Sequence, residues 1–134
     1  MADSSQRVLW IMRILSAILL LVAGGIHLYL VFNGVGGILG VAFTLNAVAG
    51  LVLAIAMLAL RGRLLQLATV MSLLFLIATL LALVLALTVG LFGITQTWDF
   101  TLVPQTVILE SIGVVVLAIT TVLVFRTPRG DLSG

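Results

Sequence analysis

Four long apolar runs, at roughly 14–32, 38–60, 64–92 and 103–125, decide what this chain can fold into. A helix crosses the ~30 Å hydrocarbon core of a bilayer with about 20 apolar residues. Backbone placed in lipid must also close its hydrogen bonds internally. Each run therefore reads as a transmembrane helix, and the chain as one all-α domain, an antiparallel four-helix bundle. The breaks are N-G-V-G-G (33–37), R-G-R (61–63) and I-T-Q-T-W-D-F-T (94–101), the last just ahead of Pro104. Proline suits the first turn of a helix, where its missing N–H has no intrahelical partner to lose. The third run is longer than a span needs and is expected to tilt or to project past the bilayer.

Composition agrees. Of 134 residues, 63% are hydrophobic and only 7% are Asp, Glu, Lys or Arg, whereas a soluble domain carries about 25% charged residues. Such a chain cannot cover a water-facing surface. The absence of cysteine excludes disulfides, thiolate metal sites, iron–sulfur clusters and thiol nucleophiles. A formal charge of +2 spread over so few charges makes no nucleic-acid surface. All six basic residues are arginine, a bias expected of a G+C-rich bacterial genome. The first apolar run is unbroken past the 7–15 residues of a signal-peptide core, and no A-x-A site follows it, so it reads as a retained span.

Orientation follows from the arginines. Arg7 and Arg13 precede the first span, Arg61 and Arg63 join the second and third, and Arg126 and Arg129 follow the fourth. In an up-and-down bundle these places share one side, and the other two connections carry no basic residue. The positive-inside rule puts both termini in the cytoplasm, with Trp98 at the outer interface. The tails, 1–6 and 127–134, are expected to be disordered.

Three spans carry one strongly polar side chain each at a similar depth. His27, the only histidine, lies near the outer end of span one, and Asn46 and Glu110 lie a comparable distance into spans two and four. At 1.5 Å per residue all three fall roughly 9–12 Å below the outer surface. Small residues three or four positions away, Gly24 beside His27, Gly50 beside Asn46 and Gly113 beside Glu110, mark helix-facing sides. Ala78, Ala82, Ala86 and Gly90 give span three a stripe of the same kind. An ionised acid at a helix centre costs about 2.5–3.5 kcal/mol on insertion scales, and a partner reduces that cost. A hydrogen-bonded His27–Glu110 pair bridged by Asn46 is therefore expected.

The bland role for this layer is interhelical glue, each contact contributing about 0.6 kcal/mol. Its chemical alternatives are a pocket for a quinone-like or other small ligand, or a proton-handling His–Glu pair. Haem fits poorly with one histidine, because Met12 and Met57 lie toward the other ends of their helices. One His, one Glu and one amide make a weak metal set, so no metal or cofactor is assigned. Ser111 adjoins Glu110, but adjacent helical residues do not face each other, which argues against a hydrolytic triad. Gly36 and Gly40 have GxxxG spacing at a place better suited to chain reversal than to dimerisation.

The stretches A-G-G-I-H-L-Y-L (23–30), F-T-L-N-A-V-A-G (43–50), L-T-V-G-L-F-G (87–93) and I-L-E-S-I-G (108–113) together resemble small, uncharacterised four-span membrane proteins of actinobacteria. More distantly, the layout is similar to DoxX-like proteins, some of which are linked to membrane redox complexes. The resemblance implies the fold and supplies no mechanism. The role expected from the sequence is a non-catalytic accessory or scaffold subunit in a bacterial cytoplasmic membrane. Its partners would be the lipid bilayer and a larger membrane complex or further copies of itself. The alternative is a ligand-binding or redox-linked protein that uses the His27, Asn46 and Glu110 layer.

Overall fold

The computed structural model describes residues 2–128 and Gly130. Its helices are α1 (Ala2–Phe32), α2 (Gly37–Ala59), α3 (Gly62–Thr88) and α4 (Val103–Arg126). All four are long and apolar enough to cross a membrane. The α1–α2 seam is the most extensive, α3 packs on α4 and α4 on α1, while α2 and α3 barely touch. The ring of helices is thus tight on three sides and loose on the fourth.

Arg7, Arg61, Arg63 and Arg126 are exposed around one end of the bundle, and Arg129 lies outside the described residues. The packed core belongs to the arginine half. Leu20, Met57, Leu65, Leu76, Leu117 and Val124 are all nearly or fully inaccessible there. Two polar contacts tie helices together in the same half. The Ser16 and Thr120 hydroxyls meet at 3.1 Å between α1 and α4, and Thr69 Oγ1 donates to Met57 Sδ at 3.6 Å between α3 and α2. Large aliphatic side chains such as Ile18, Leu67 and Val115 are exposed and make the exterior apolar.

Glycine sets the tightest approach. A Cβ on Gly50 would stand 2.9 Å from Leu20 O, and one on Gly24 would stand 3.3 Å from both Ala47 Cα and Ala47 O. The backbones of α1 and α2 are in direct contact here. Gly113 differs, because its Cβ would meet the end of a flexible side chain, Leu76 Cδ1, at 2.7 Å. A Cβ on Gly40 would stand 2.8 Å from the carbonyl of Val35 in the preceding turn, so glycine at this position serves chain reversal.

The structure corrects the helix boundaries in two places. Residues 2–6, expected in a disordered tail, continue α1. The third helix ends at Thr88 instead of running to 92. Gly90 takes φ +86, a left-handed conformation open to glycine, and its N–H reaches back to Leu85 O at 2.7 Å. Gly90 is therefore a helix terminator and not a packing position. Beyond it, Leu91 and Ile94 exchange two 2.8 Å hydrogen bonds across Phe92 (φ +52) and Gly93 (φ +80), a two-residue hairpin with both central residues left-handed. The Gln96 N–H then returns to Ala86 O at 2.8 Å, folding the 89–102 loop over the end of the bundle. Leu102, before α4, is also left-handed at φ +66. Asp99, exposed in this loop, is held below the usual carboxylate pKa by the Thr97 hydroxyl and a backbone amide.

Candidate functional site

The loose α2–α3 side opens, in the Trp98 half, into a cavity of about 600 Å³. Helix α1 contributes His27, α2 contributes Phe43 and Asn46, α3 contributes Phe75 and Thr79, and α4 contributes Thr106 and Glu110. The 89–102 loop roofs it with Leu91, Phe92, Gln96 and Phe100. The three polar residues singled out from the sequence thus line one cavity. Volumes of about 300–1,000 Å³ with apolar walls and a few convergent polar groups are usual for small-molecule sites.

The expected His27–Glu110 hydrogen bond is not formed. The Nδ1 of His27 lies 2.7 Å from Ala23 O, one turn back on its own helix. A carbonyl only accepts, so Nδ1 carries the proton, and in the neutral ring Nε2 is left as an acceptor. Phe43 holds the ring from the side, edge to face, with centroids 4.9 Å apart. Thr106 Oγ1 donates to Leu102 O at 2.6 Å. The Thr79 hydroxyl lies beside the Glu110 carboxyl, yet by distance and angle it donates to Leu76 O at 3.1 Å. Glu110 is 1% exposed. Both of its oxygens and Asn46 Oδ1 have no hydrogen-bond partner. Nor does Asn46 bridge the other two.

The alanine stripe of α3 also has a different purpose from the one expected. Ala86 is buried, Ala82 half-buried and Ala78 exposed, and all three line the cavity. Small side chains here leave room between α3 and α2, whereas Gly24 and Gly50 on the opposite seam bring backbones together. Gly113 sits one turn beyond Glu110, against Leu76 and Leu19, and floors the region with α3 and α1 side chains.

Comparison with protein families, with curated proteins and with solved structures finds no match. Function has to be read from the site itself.

Among the described residues no three of His, Cys, Asp and Glu gather as a metal set would. Ser111 is exposed and is not among the residues that line the cavity with Glu110, so the two do not share a site. Sequence reasoning missed Thr79, Gln96 and the aromatic wall of Phe43, Phe75 and Phe100. Thr106 was signalled by its place four residues before Glu110. Gln96 and Phe100 depend on how the loop folds back and carried no periodic signal.

Arg13 is the other residue whose place differs from expectation. Read from the sequence as an orientation signal, it is 1% exposed. Its guanidinium reaches the end of α2, donating from Nε to Met57 O at 2.8 Å and from Nη2 to Leu60 O at 2.9 Å and Leu58 O at 3.3 Å. The Trp10 ring lies 4.2 Å from its Cζ, within cation–π range.

Proposed function

We propose that this chain is a multi-pass membrane protein, with both termini in the cytoplasm, that binds a lipid-soluble small molecule in the cavity of its Trp98 half. One observation carries the reading: a deeply buried glutamate whose two carboxyl oxygens are unpartnered lines an apolar-walled space of about 600 Å³. A buried polar group left unpaired costs about 1–3 kcal/mol, more when charged. A ligand head at the His27, Asn46 and Glu110 layer recovers that loss while its apolar body fills the rest. The scaffold role expected from the sequence accounts for the apolar exterior but leaves this space without a purpose. The loose α2–α3 side supplies a lateral path from the lipid phase.

Two measurements test this. Purified protein in phosphatidylcholine nanodiscs is expected to bind 1-pyrenemethanol saturably, at one site per chain, above the partitioning seen in empty discs. Ala82→Trp places an indole in the cavity and is expected to abolish the saturable component. Partitioning indistinguishable from empty discs, or binding indifferent to Ala82→Trp, counts against the cavity as a site. For orientation, reporter tags at either terminus are expected to read cytoplasm and a tag beside Trp98 the opposite side. A tag on the wrong face overturns the arginine argument.

A further inference from the structure

We infer that the occupant of this cavity is an amphipathic amine, bound as its ammonium ion with Glu110 as counter-ion. The inference rests on the cavity being a ligand site and adds the chemical class of the ligand.

Three donors on the walls are spent within their own helices. His27 Nδ1–H goes to Ala23 O, Thr79 O–H to Leu76 O and Thr106 O–H to Leu102 O. The fully buried groups left without a partner there are acceptors, Glu110 Oε1 and Oε2 and Asn46 Oδ1. The bare Nε2 of neutral His27 joins them, while the amides of Asn46 and Gln96 and the Thr101 hydroxyl bring N–H and O–H donors to the same walls. An ammonium group is the complement of those acceptors, with up to three N–H donors and no acceptor.

Charge leads to the same class. The polar residues that line the cavity with Glu110 are His27 from α1, Asn46 from α2, Thr79 from α3, Thr106 from its own helix, and Gln96 and Thr101 beyond α3. None of these carries a fixed positive charge. Arg7, Arg61, Arg63 and Arg126 are exposed around the arginine end, and the guanidinium of Arg13 is spent on the carbonyls of α2. Among the described residues no fixed cation is left for this carboxylate, and we assign that role to the ligand. A buried charge is retained where it is paired and hydrogen-bonded, and charge-assisted hydrogen bonds are about twice as strong as neutral ones. The walls select the rest of the molecule. Phe43, Phe75 and Phe100 offer aromatic surface to a flat apolar body, and the lipid-facing gap at α2–α3 admits molecules that already partition into a bilayer.

The test compares 1-pyrenemethylamine with 1-pyrenemethanol, which differ only in the polar head, by fluorescence titration into phosphatidylcholine nanodiscs. The amine is expected to bind about ten-fold more tightly or better, the gain of a charge-assisted hydrogen bond in a dry site. Glu110→Gln is expected to bring that ratio close to one, with the helical bundle checked by circular dichroism. Equal affinity of the two probes for the unaltered protein, or a preference for the alcohol, overturns the amine assignment and leaves the cavity reading standing. Failure of both probes to bind saturably overturns both. The comparison on the unaltered chain decides the matter even if Glu110→Gln does not fold.

Discussion

Arg13→Ala is expected to destabilise the bundle by about 3 kcal/mol, net of the desolvation cost it relieves. Helix α2 ends without a glycine cap and without a basic residue in its own last turn. Its terminal carbonyls, which have no intrahelical donors, are served instead from α1. Nε takes Met57 O, and Nη2 takes Leu60 O and Leu58 O. Hydrogen bonds from a charged group are worth roughly 1.5–3 kcal/mol each before desolvation, and the negative end of the helix dipole adds to the attraction. Against this stands the cost of burying a guanidinium whose Nη1 has no partner. Replacing a buried charge with an apolar side chain of similar volume is often neutral or stabilising. Arg13→Met is therefore the decisive companion. It fills the space and removes only the donors, and it is expected to lose nearly as much as alanine. Arg13→Lys should recover about half, since a point charge cannot fork to several carbonyls. Denaturant titration in bicelles reads all three, and an Arg13→Met protein as stable as the parent rules out the capping role.

How much of this was legible in the sequence depends on what kind of signal each feature leaves. When a helix is apolar on every side, hydrophobicity no longer marks its buried face; small and polar residues do. On α4 the buried positions Val103, Thr106, Glu110, Gly113, Leu117, Thr120 and Val124 alternate by three and four, the seam of a bundle helix. That spacing is why Glu110 could be placed inward from the sequence alone. The same spacing runs through Leu9, Arg13, Ser16, Leu20 and Ala23 on α1, all buried, and continues to His27. Arg13 was therefore readable as an inward residue, but its position beside the first apolar run made a topology signal the simpler reading. The missing His27–Glu110 bond has a local cause. A histidine in a helix can satisfy Nδ1 on the carbonyl four residues back, and His27 does. The cavity left no sequence signal of its own, because it arises from weak packing between α2 and α3. The Ala78, Ala82 and Ala86 stripe is equally consistent with a close seam or an open space. The end of α3 was hidden because Leu91 and Phe92 are apolar and read as a continued span, while Gly90 and Gly93 turn the chain there.

Gly50→Leu is expected to separate α1 from α2 and abolish the folded bundle, where Gly113→Ala costs little. The difference lies in what each new side chain meets. At Gly50 the first added carbon stands 2.9 Å from Leu20 O and 3.5 Å from Gly24 Cα, and backbone has nowhere to go without moving a helix. Alanine at this position already overpacks the seam, at about 1–3 kcal/mol, and leucine adds three more carbons to the same gap. At Gly113 the obstacle is the terminal methyl of Leu76 at 2.7 Å, which a change of rotamer can withdraw. The α1–α2 seam also fixes the site, since Gly24 lies three residues before His27 and Gly50 four residues after Asn46. Gly50→Ala is therefore expected to weaken pyrenemethylamine binding even where the protein still folds, by moving His27 and Asn46 apart. Gly113→Ala, next to Glu110 but against a yielding neighbour, should cost less than about 1 kcal/mol in stability. Thermal unfolding in detergent separates the two positions. If Gly50→Leu melts with the parent protein, the two backbones do not touch, and the seam that sets His27 and Asn46 on one cavity wall is not the one described.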